Sequence, residues 1–191
     1  GGTGIKAGVL KIASGRDAIS PYESVFFRAA ARVQRETGVP IITHTQEGRL
    51  GPQQAEMLVG EGADPSRIVI GHMDGNTDVQ YHLDTLAHGV TVGFDRIGLQ
   101  GLVGTPPDSE RLRLLEALTR QGFAGHITLS HDSIWNWLGR PLILPDAVLP
   151  AVKDWHPAHI YDDILPELLR RGVTQEQITE MTVGNPARIF G

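Results

Sequence analysis

Five short apolar segments of this sequence each carry or precede a side chain that could bind a metal or hold charge. Lys11 lies in the first segment, and His44 and His72 follow the second and third. The pair Asp95-Arg96 follows the fourth segment, and Asp132 follows the fifth. Neutral imidazole and carboxylate are common ligands of divalent cations. The sequence has no cysteine, so any metal site it forms must use nitrogen and oxygen ligands.

Lys11 is an unusual residue for a buried strand, because burial removes the hydration of its ammonium group. One interpretation is that the side chain reaches solvent or pairs with a carboxylate. The other is that burial lowers its pKa, so that the neutral amine reacts with carbon dioxide. The resulting carbamate has two oxygens and a negative charge, and it could bridge two cations.

The other candidate residues also have purely structural interpretations. His44 and His72 could each be a hydrogen-bonded histidine of the core or rim, and Asp132 could cap the turn that follows it. Arg96 could pair with Asp95 or another loop acid instead of reaching an anionic or carbonyl oxygen. If the apolar segments form a parallel sheet, however, His44 and His72 lie at the ends of consecutive strands and can face the same space. With Asp132 at the end of the fifth strand, this arrangement favours a metal site.

The remaining acids and histidines are interpreted as structural. Asp74 and Asp78 are predicted to form a loop turn and a helix cap. A surface role is predicted for the five histidines that lie on helices or loops: His82, His88, His126, His156 and His159.

The elements that must position these residues alternate between strand and helix. Apolar runs predict strands at 7–12, 39–43, 68–71, 90–94 and 127–130. Amphipathic segments predict helices at about 20–38, 52–62, 78–89, 109–122, 158–171 and 175–182, with a last turn at 186–190. Continuous apolar strands indicate burial on both faces, and this alternation indicates a parallel sheet. The chain is therefore predicted to form a single α/β domain over residues 1–191.

Composition excludes several classes of function. The chain has 191 residues and a formal net charge of −5, which argues against nucleic acid as a partner. It has no apolar run of 18 residues, so no membrane span is expected. It begins Gly1-Gly2-Thr3-Gly4, without an initiator methionine or a signal-peptide pattern. A cytoplasmic protein is favoured. The start resembles a cut end, so the chain could be part of a longer protein.

The segments that carry these residues resemble the phosphotriesterase family of the amidohydrolase superfamily. The similarity lies in residues 7–12, 38–45, 68–72, 93–98 and 129–132, and in Asn185-Pro186-Ala187-Arg188 near the end. It covers nearly all of this chain but only about strands four to eight of the family fold. The resemblance implies a (β/α)₈ TIM barrel, of which this chain forms the C-terminal portion.

The resemblance also implies a role for each candidate ligand. Lys11 would be an N6-carboxylysine bridging two divalent metal ions, with zinc favoured over manganese, cobalt or iron. His44 and His72 would bind the more exposed metal. Asp132 would bind the more buried metal, contact the bridging hydroxide and take its proton. Two metals acidify a shared water and polarise the substrate's carbonyl or phosphoryl oxygen.

Arg96 and its neighbours indicate the substrate class within the family. Residues 94–99 and Ser130-His131-Asp132 resemble the phosphotriesterase-like lactonases, whereas true phosphotriesterases carry a histidine at the position of Arg96. The resemblance implies lactone hydrolysis with organophosphate triesters as side substrates. Trp135 and Trp137, in the long segment after Asp132, would wall an apolar acyl chain. Their alternative role is to anchor this segment on the barrel rim.

The sequence departs from the family in one important respect. The family places a His-x-His pair at the end of its first strand, and no His-x-His occurs in this sequence. An alternative is therefore a catalytically incomplete barrel fragment or half-barrel that binds metal weakly or forms homo-oligomers. A metal-free sugar- or phosphate-binding barrel is less favoured, because residues 130–134 are not a glycine-rich phosphate loop.

Overall fold

Five parallel strands form the central sheet of the computed structural model, which describes residues 2–191. The strands lie side by side in chain order. They are β1 (Leu10–Ala13), β2 (Ile41–His44), β3 (Ile68–Ile70), β4 (Thr91–Phe94) and β5 (Ile127–Leu129). All neighbouring pairs are parallel, which confirms the predicted sheet. Parallel neighbours require a crossover connection, and helices provide it between these strands.

Within the described residues 2–191, eight α-helical segments accompany the sheet. Four follow the first four strands: α1 (Pro21–Thr37), α2 (Gly51–Gly60), α3 (Val79–Leu86) and α4 (Asp108–Arg120). After β5 come the antiparallel strands β6 (Asn136–Trp137) and β7 (Arg140–Pro141), and then α5 (Pro157–His159), α6 (Leu165–Arg170), α7 (Gln175–Thr179) and α8 (Asn185–Phe190). Single π-helical turns join α5 to α6 at Ile160–Ile164 and α7 to α8 at Glu180–Gly184.

Local sequence signals explain where the first and third helices begin. Ser20 Oγ accepts a hydrogen bond from the Glu23 main chain at 3.2 Å, and Glu23 Oε2 accepts one from the Ser20 main chain at 2.7 Å. This reciprocal capping box satisfies two donors at the start of α1. Asp78 Oδ1 accepts a hydrogen bond from the Gln80 main chain at 2.9 Å and caps α3, as predicted.

The hydrophobic core lies between the sheet and its helices. Every residue of β3 and β4 is buried, as the continuous apolar runs predict. The same expectation is wrong for β1, where exposed and half-buried residues alternate. Among residues 2–191, the structure describes a strand on only one side of β1. The largest fully buried apolar side chains include Phe27, Ile41, Leu58, Ile68, Ile70, Phe94, Leu114, Leu115 and Leu118.

Several predicted boundaries differ from the structure. Helix α3 ends at Leu86 and not at Gly89, because the chain leaves the helix through a turn closed by Gly89 in a left-handed conformation. The predicted last turn is the helix α8. The long segment after β5 contains the β6–β7 hairpin and a 3₁₀ turn at Leu149–Val152. No helix within residues 2–191 has the length and apolarity needed to cross a membrane.

Candidate functional site

One cavity of about 350 Å³ brings together three of the four predicted metal ligands. Lys11, His72 and Asp132 line it, together with Asp95 from the end of β4. His44 lies beside His72, with the ring centroids 4.6 Å apart and the rings nearly perpendicular. The carboxyl ends of parallel strands meet at one edge of a sheet, which is why residues far apart in sequence gather here.

Asp95 orients the His72 ring. Its Oδ1 accepts a hydrogen bond from the His72 main-chain nitrogen at 2.8 Å and lies 2.7 Å from His72 Nδ1. A carboxylate only accepts hydrogen bonds, so Nδ1 carries the proton and Nε2 of the neutral ring keeps a free lone pair. A carboxylate behind a histidine is the usual way in which proteins fix such a ligand.

Two glycines make room for the Asp95 carboxylate. A Cβ atom at Gly93 would lie 2.7 Å from Asp95 Oδ2, and one at Gly71 would lie 3.2 Å from the same oxygen. A Cβ atom at Gly71 would also clash with the Thr43 carbonyl oxygen. Larger residues at these positions would therefore displace the group that orients His72.

His44 favours its neutral form, which is the form that binds metals. Burial lowers its pKa below the ordinary 6.5, and the nearby charges of Arg96 and Lys11 act in the same direction. The neighbouring His72 ring, when charged, adds to this effect, and the contact with Gln46 opposes it. His44 Nε2 lies 3.3 Å from Gln46 Oε1.

Lys11 is an exposed residue of β1, but its ammonium group is partly enclosed. Nζ donates a hydrogen bond to the Thr43 carbonyl at 2.8 Å. Desolvation lowers the pKa of Lys11 from its ordinary 10.5, although the Asp95 and Asp132 carboxylates oppose the shift. The lowered pKa is in the direction that carbamate formation requires.

Asp132 is paired with Arg96 in this structure. Arg96 Nε donates to Asp132 Oδ2 at 3.2 Å, which is the loop-acid pairing considered as the structural role of this arginine. The Arg96 side chain is 10% exposed and that of Asp132 is 42% exposed. Asp132 and His72 both have left-handed backbone, with φ of 49° and 58°. Such conformations are costly for non-glycine residues and are concentrated at functional sites.

The side chains around this cavity are of the types that bind divalent cations, but in the part of the chain that the structure describes their positions do not form a complete metal site. The neutral His44 ring, the Nε2 atom of His72 and the Asp132 carboxylate are suitable ligands around one space. Among residues 2–191, however, no three histidine, aspartate or glutamate side chains converge as a metal site requires.

The two candidate tryptophans lie apart from this cavity. Trp135 and Trp137 belong to the segment around the β6–β7 hairpin and are 69% and 60% exposed. Trp135 lines a separate cavity together with Leu142, Leu144 and Trp155. Both side chains are thus exposed, and neither lines the cavity that holds Lys11 and His72.

The predicted surface position is wrong for two histidines. His82 is fully buried on α3, where its Nε2 lies 2.9 Å from the Asn76 carbonyl and its ring packs 5.5 Å from that of Phe94. His159 is 7% exposed and lies 2.9 Å from Asp108 Oδ2. Both fall on the inward face of a helix, which single-residue inspection misses.

Asp74 is more than the predicted loop turn. It is fully buried, and its Oδ2 accepts a hydrogen bond from Arg111 Nε at 2.7 Å. Burial raises the pKa of Asp74 to about 6, although the Arg111 charge opposes that shift. Sequence reasoning missed Arg111 and the orienting role of Asp95, since no local pattern distinguishes either from a solvated residue.

Comparison with known proteins identifies the family. The phosphotriesterase family model matches residues 1–190. The chain is 39% identical over 190 residues to a phosphotriesterase homology protein of Mycobacterium tuberculosis, covering 98% of this chain and 56% of that protein. It is 36% identical over 187 residues to a phospho-furanose lactonase of Mycoplasmopsis synoviae, covering 97% of this chain and 51% of that protein.

A solved structure shows the same relationship. The organophosphorus hydrolase from Deinococcus radiodurans superposes with a TM-score of 0.95 at 72% sequence identity, covering 100% of this chain and 57% of that one. The chain thus spans little more than half the length of these relatives, and its five-stranded sheet is part of a (β/α)₈ barrel. The family predicted from the motifs is confirmed, and the chain belongs to the phosphotriesterase family.

Proposed function

We propose that this chain carries most of the active site of a metal-dependent hydrolase that cleaves lactones, with organophosphate triesters as side substrates. The observation that carries the proposal is the cavity shared by Lys11, His72 and Asp132, with His44 beside it. These are the residue types that hold a pair of divalent cations in hydrolytic sites.

Two divalent metal ions, with zinc favoured, would be held by His44, His72, Asp132 and Lys11 as its carbamate. When bound, they supply an acidified water and polarise the substrate's carbonyl or phosphoryl oxygen. The chain's own residues then have separable tasks. Asp132 accepts the proton of the attacking water, and its 42% exposed side chain can pass that proton outward. Asp95 keeps the His72 ring in one orientation.

Arg96 favours the lactone over the triester as the main substrate. Its guanidinium contacts Asp132, which lines the cavity, and can donate to a carbonyl or carboxylate oxygen. The motif around it resembles the lactonase pattern. The Mycoplasmopsis relative is named a lactonase and the Deinococcus relative an organophosphorus hydrolase, which supports both activities within one family.

The test uses two forms of the protein. One is the chain itself, and the other is a chimera in which this chain replaces the matching segment of the Deinococcus organophosphorus hydrolase. Turnover of a lactone and of a phosphotriester is measured with zinc or cobalt present. We expect Asp132→Asn to lower lactone turnover at least about 100-fold with the fold unchanged. Asp162→Asn, on an exposed helical turn, is the matched control. Lactone turnover that survives Asp132→Asn would refute the assignment.

A catalytically incomplete fragment stays the second candidate, because no three donors converge among residues 2–191. Metal analysis of the isolated chain separates the two proposals. About two metals per chain support the hydrolase, while none or one supports a fragment that completes its site elsewhere. Self-association and a cytoplasmic location stay predictions from the sequence.

A further inference from the structure

A fully buried arginine lies behind the candidate site. The Arg111 side chain, on α4, is 1% exposed, and each of its three nitrogens has a different partner. Nε donates to Asp74 Oδ2 at 2.7 Å, Nη1 donates to Asp108 Oδ1 at 2.7 Å, and Nη2 donates to the Leu99 carbonyl at 2.9 Å. A planar guanidinium with fixed donor directions is suited to holding several acceptors at once.

The acceptors of Arg111 in turn hold the loop that follows β4. Asp74 Oδ2 also accepts a hydrogen bond from the Arg96 main-chain nitrogen, at 3.2 Å. Asp108 Oδ1 also accepts one from the Gly98 main-chain nitrogen, at 3.2 Å. With the direct bond to the Leu99 carbonyl, Arg111 thus fixes three points of a four-residue loop.

This loop presents Arg96 to the candidate site. The Arg96 side chain leaves the loop at its first residue and reaches Asp132 Oδ2. On the other side, Gly98 packs against the Asp154 carbonyl so closely that a Cβ atom there would clash with it. The loop therefore has little freedom, and a small displacement of its main chain would move the Arg96 guanidinium.

The stability of the fold alone does not explain why Arg111 and its carboxylate partners are buried together. Replacing a buried ion pair by apolar residues of similar volume is often neutral or stabilising in proteins. The hydrogen bonds around Arg111 also extend to His159. Its ring lies 2.9 Å from the second oxygen of Asp108 and 2.8 Å from Asp163. Hydrogen-bond directionality is what this cluster supplies and an apolar cluster would not.

We propose that Arg111 is a positioning residue that sets the place of Arg96, and through it the Asp132 carboxylate, in the reaction proposed above. The inference rests on the proposed function for its chemistry. Its structural part, the fixing of the loop at 96–99, is independent of that function.

The structural part is tested by amide hydrogen exchange, followed by NMR on the isotope-labelled 191-residue chain. In Arg111→Met, we expect the Arg96 and Gly98 amides to exchange at least about 10-fold faster, while β4 amides stay within about 2-fold. Arg113→Met is the matched control, because Arg113 lies on the same helix, is half exposed and, within residues 2–191, pairs only with Glu110 and the Thr77 carbonyl. Unchanged exchange at Arg96 and Gly98 would overturn the proposal.

The chemical part is tested by a double-mutant cycle on lactone kcat/KM, in whichever form of the protein turns over lactone. Arg111→Met should lower kcat/KM about 10- to 100-fold, since a misplacement of about 1 Å can cost that much. If Arg111 acts through Arg96, the double variant with Arg96→Ala should be no worse than Arg96→Ala alone, within about 2-fold. Losses that multiply would show a merely structural role and contradict the proposal.

A second variant keeps the test decisive if Arg111→Met does not fold. Arg111→Lys retains the buried charge but cannot reach three acceptors in different directions. It should fold and still show faster exchange at Gly98 or Arg96, with an intermediate kcat/KM. Wild-type exchange and kinetics in Arg111→Lys would overturn the positioning role. Absence of lactone turnover in both wild-type forms would instead refute the proposed function, and the exchange experiment would still decide the loop.

Discussion

Oδ1 of Asp95 holds His72 at two points, 2.8 Å from the main-chain nitrogen and 2.7 Å from Nδ1. The same oxygen thus fixes both the backbone and the ring of a residue whose φ is 58°. The left-handed turn places the main-chain N–H and the ring on the same side, so that one acceptor can serve both. This relationship leaves the lone pair of His72 Nε2 free, as the proposed ligand role requires.

Asp95→Asn should release the ring of His72. An amide cannot accept two hydrogen bonds with the strength of a carboxylate, and it can offer a donor to Nδ1 instead. We expect zinc affinity to fall about 10- to 100-fold, as is typical when the group behind a histidine ligand is changed. Calorimetric zinc titration measures the affinity, and long-range proton–nitrogen NMR of the imidazole measures the tautomer. Wild-type affinity with an unchanged Nδ1–H tautomer would contradict this role of Asp95.

Gly93→Ala should disturb the same carboxylate from the strand side. The added Cβ would lie 2.7 Å from Asp95 Oδ2, so the Asp95 side chain must shift. We expect a loss of zinc affinity in the same direction as for Asp95→Asn, together with a cost in the free energy of unfolding of about 1–3 kcal/mol for overpacking. Gly125→Ala is the control, because a Cβ there meets no atom within 4 Å. Equal zinc affinities of the two variants would argue against the Gly93 contact.

Repeating local patterns made the strand–helix order predictable. The capping signals at Ser20 and Asp78 depend on residues two or three positions apart, and both form as expected. The proximity of His44 and His72 follows from the rule that parallel strands end at one edge. These inferences succeed because each uses an interaction that the sequence spacing itself determines.

The features that the sequence did not reveal depend on contacts between distant residues. Arg111 meets Asp74 across 37 positions, and His159 meets Asp108 across 51. The left-handed backbone of Asp132 is equally invisible, because aspartate adopts many turn conformations.

His159 should make the stability of this protein depend on pH. Burial opposes its charged form, but hydrogen bonds to Asp108 and Asp163, with the more distant Asp154 charge, outweigh burial and raise its pKa above 6.5. The unfolded chain loses that proton first, so the stabilisation is complete below pH 6.5 and disappears as pH rises through the folded value. We expect the free energy of unfolding to decrease above pH 6.5, by at most about 1.4 kcal/mol per pH unit from this group.

Urea unfolding between pH 6 and pH 9 measures this dependence. His159→Gln should flatten the decrease, and Asp163→Asn should weaken it, because one of the two hydrogen bonds to the imidazolium is lost. Asp162→Asn alters a neighbouring exposed carboxylate outside these hydrogen bonds and serves as the control. If His159→Gln keeps the wild-type slope, the histidine does not carry the pH dependence.

Asn185 should stabilise the packing of helix α8 against the start of β5. Its fully buried side chain donates from Nδ2 to the carbonyls of Ala124 and Ile127, at 2.8 Å and 2.7 Å, just where β5 begins. Asn185→Ala leaves these acceptors without that donor, so we expect the free energy of unfolding to fall by about 1–3 kcal/mol. Urea denaturation measures the loss, with Asn136→Ala on the exposed hairpin as the control. A change below about 0.5 kcal/mol, the range of ordinary surface substitutions, would show that water or a main-chain shift replaces the amide.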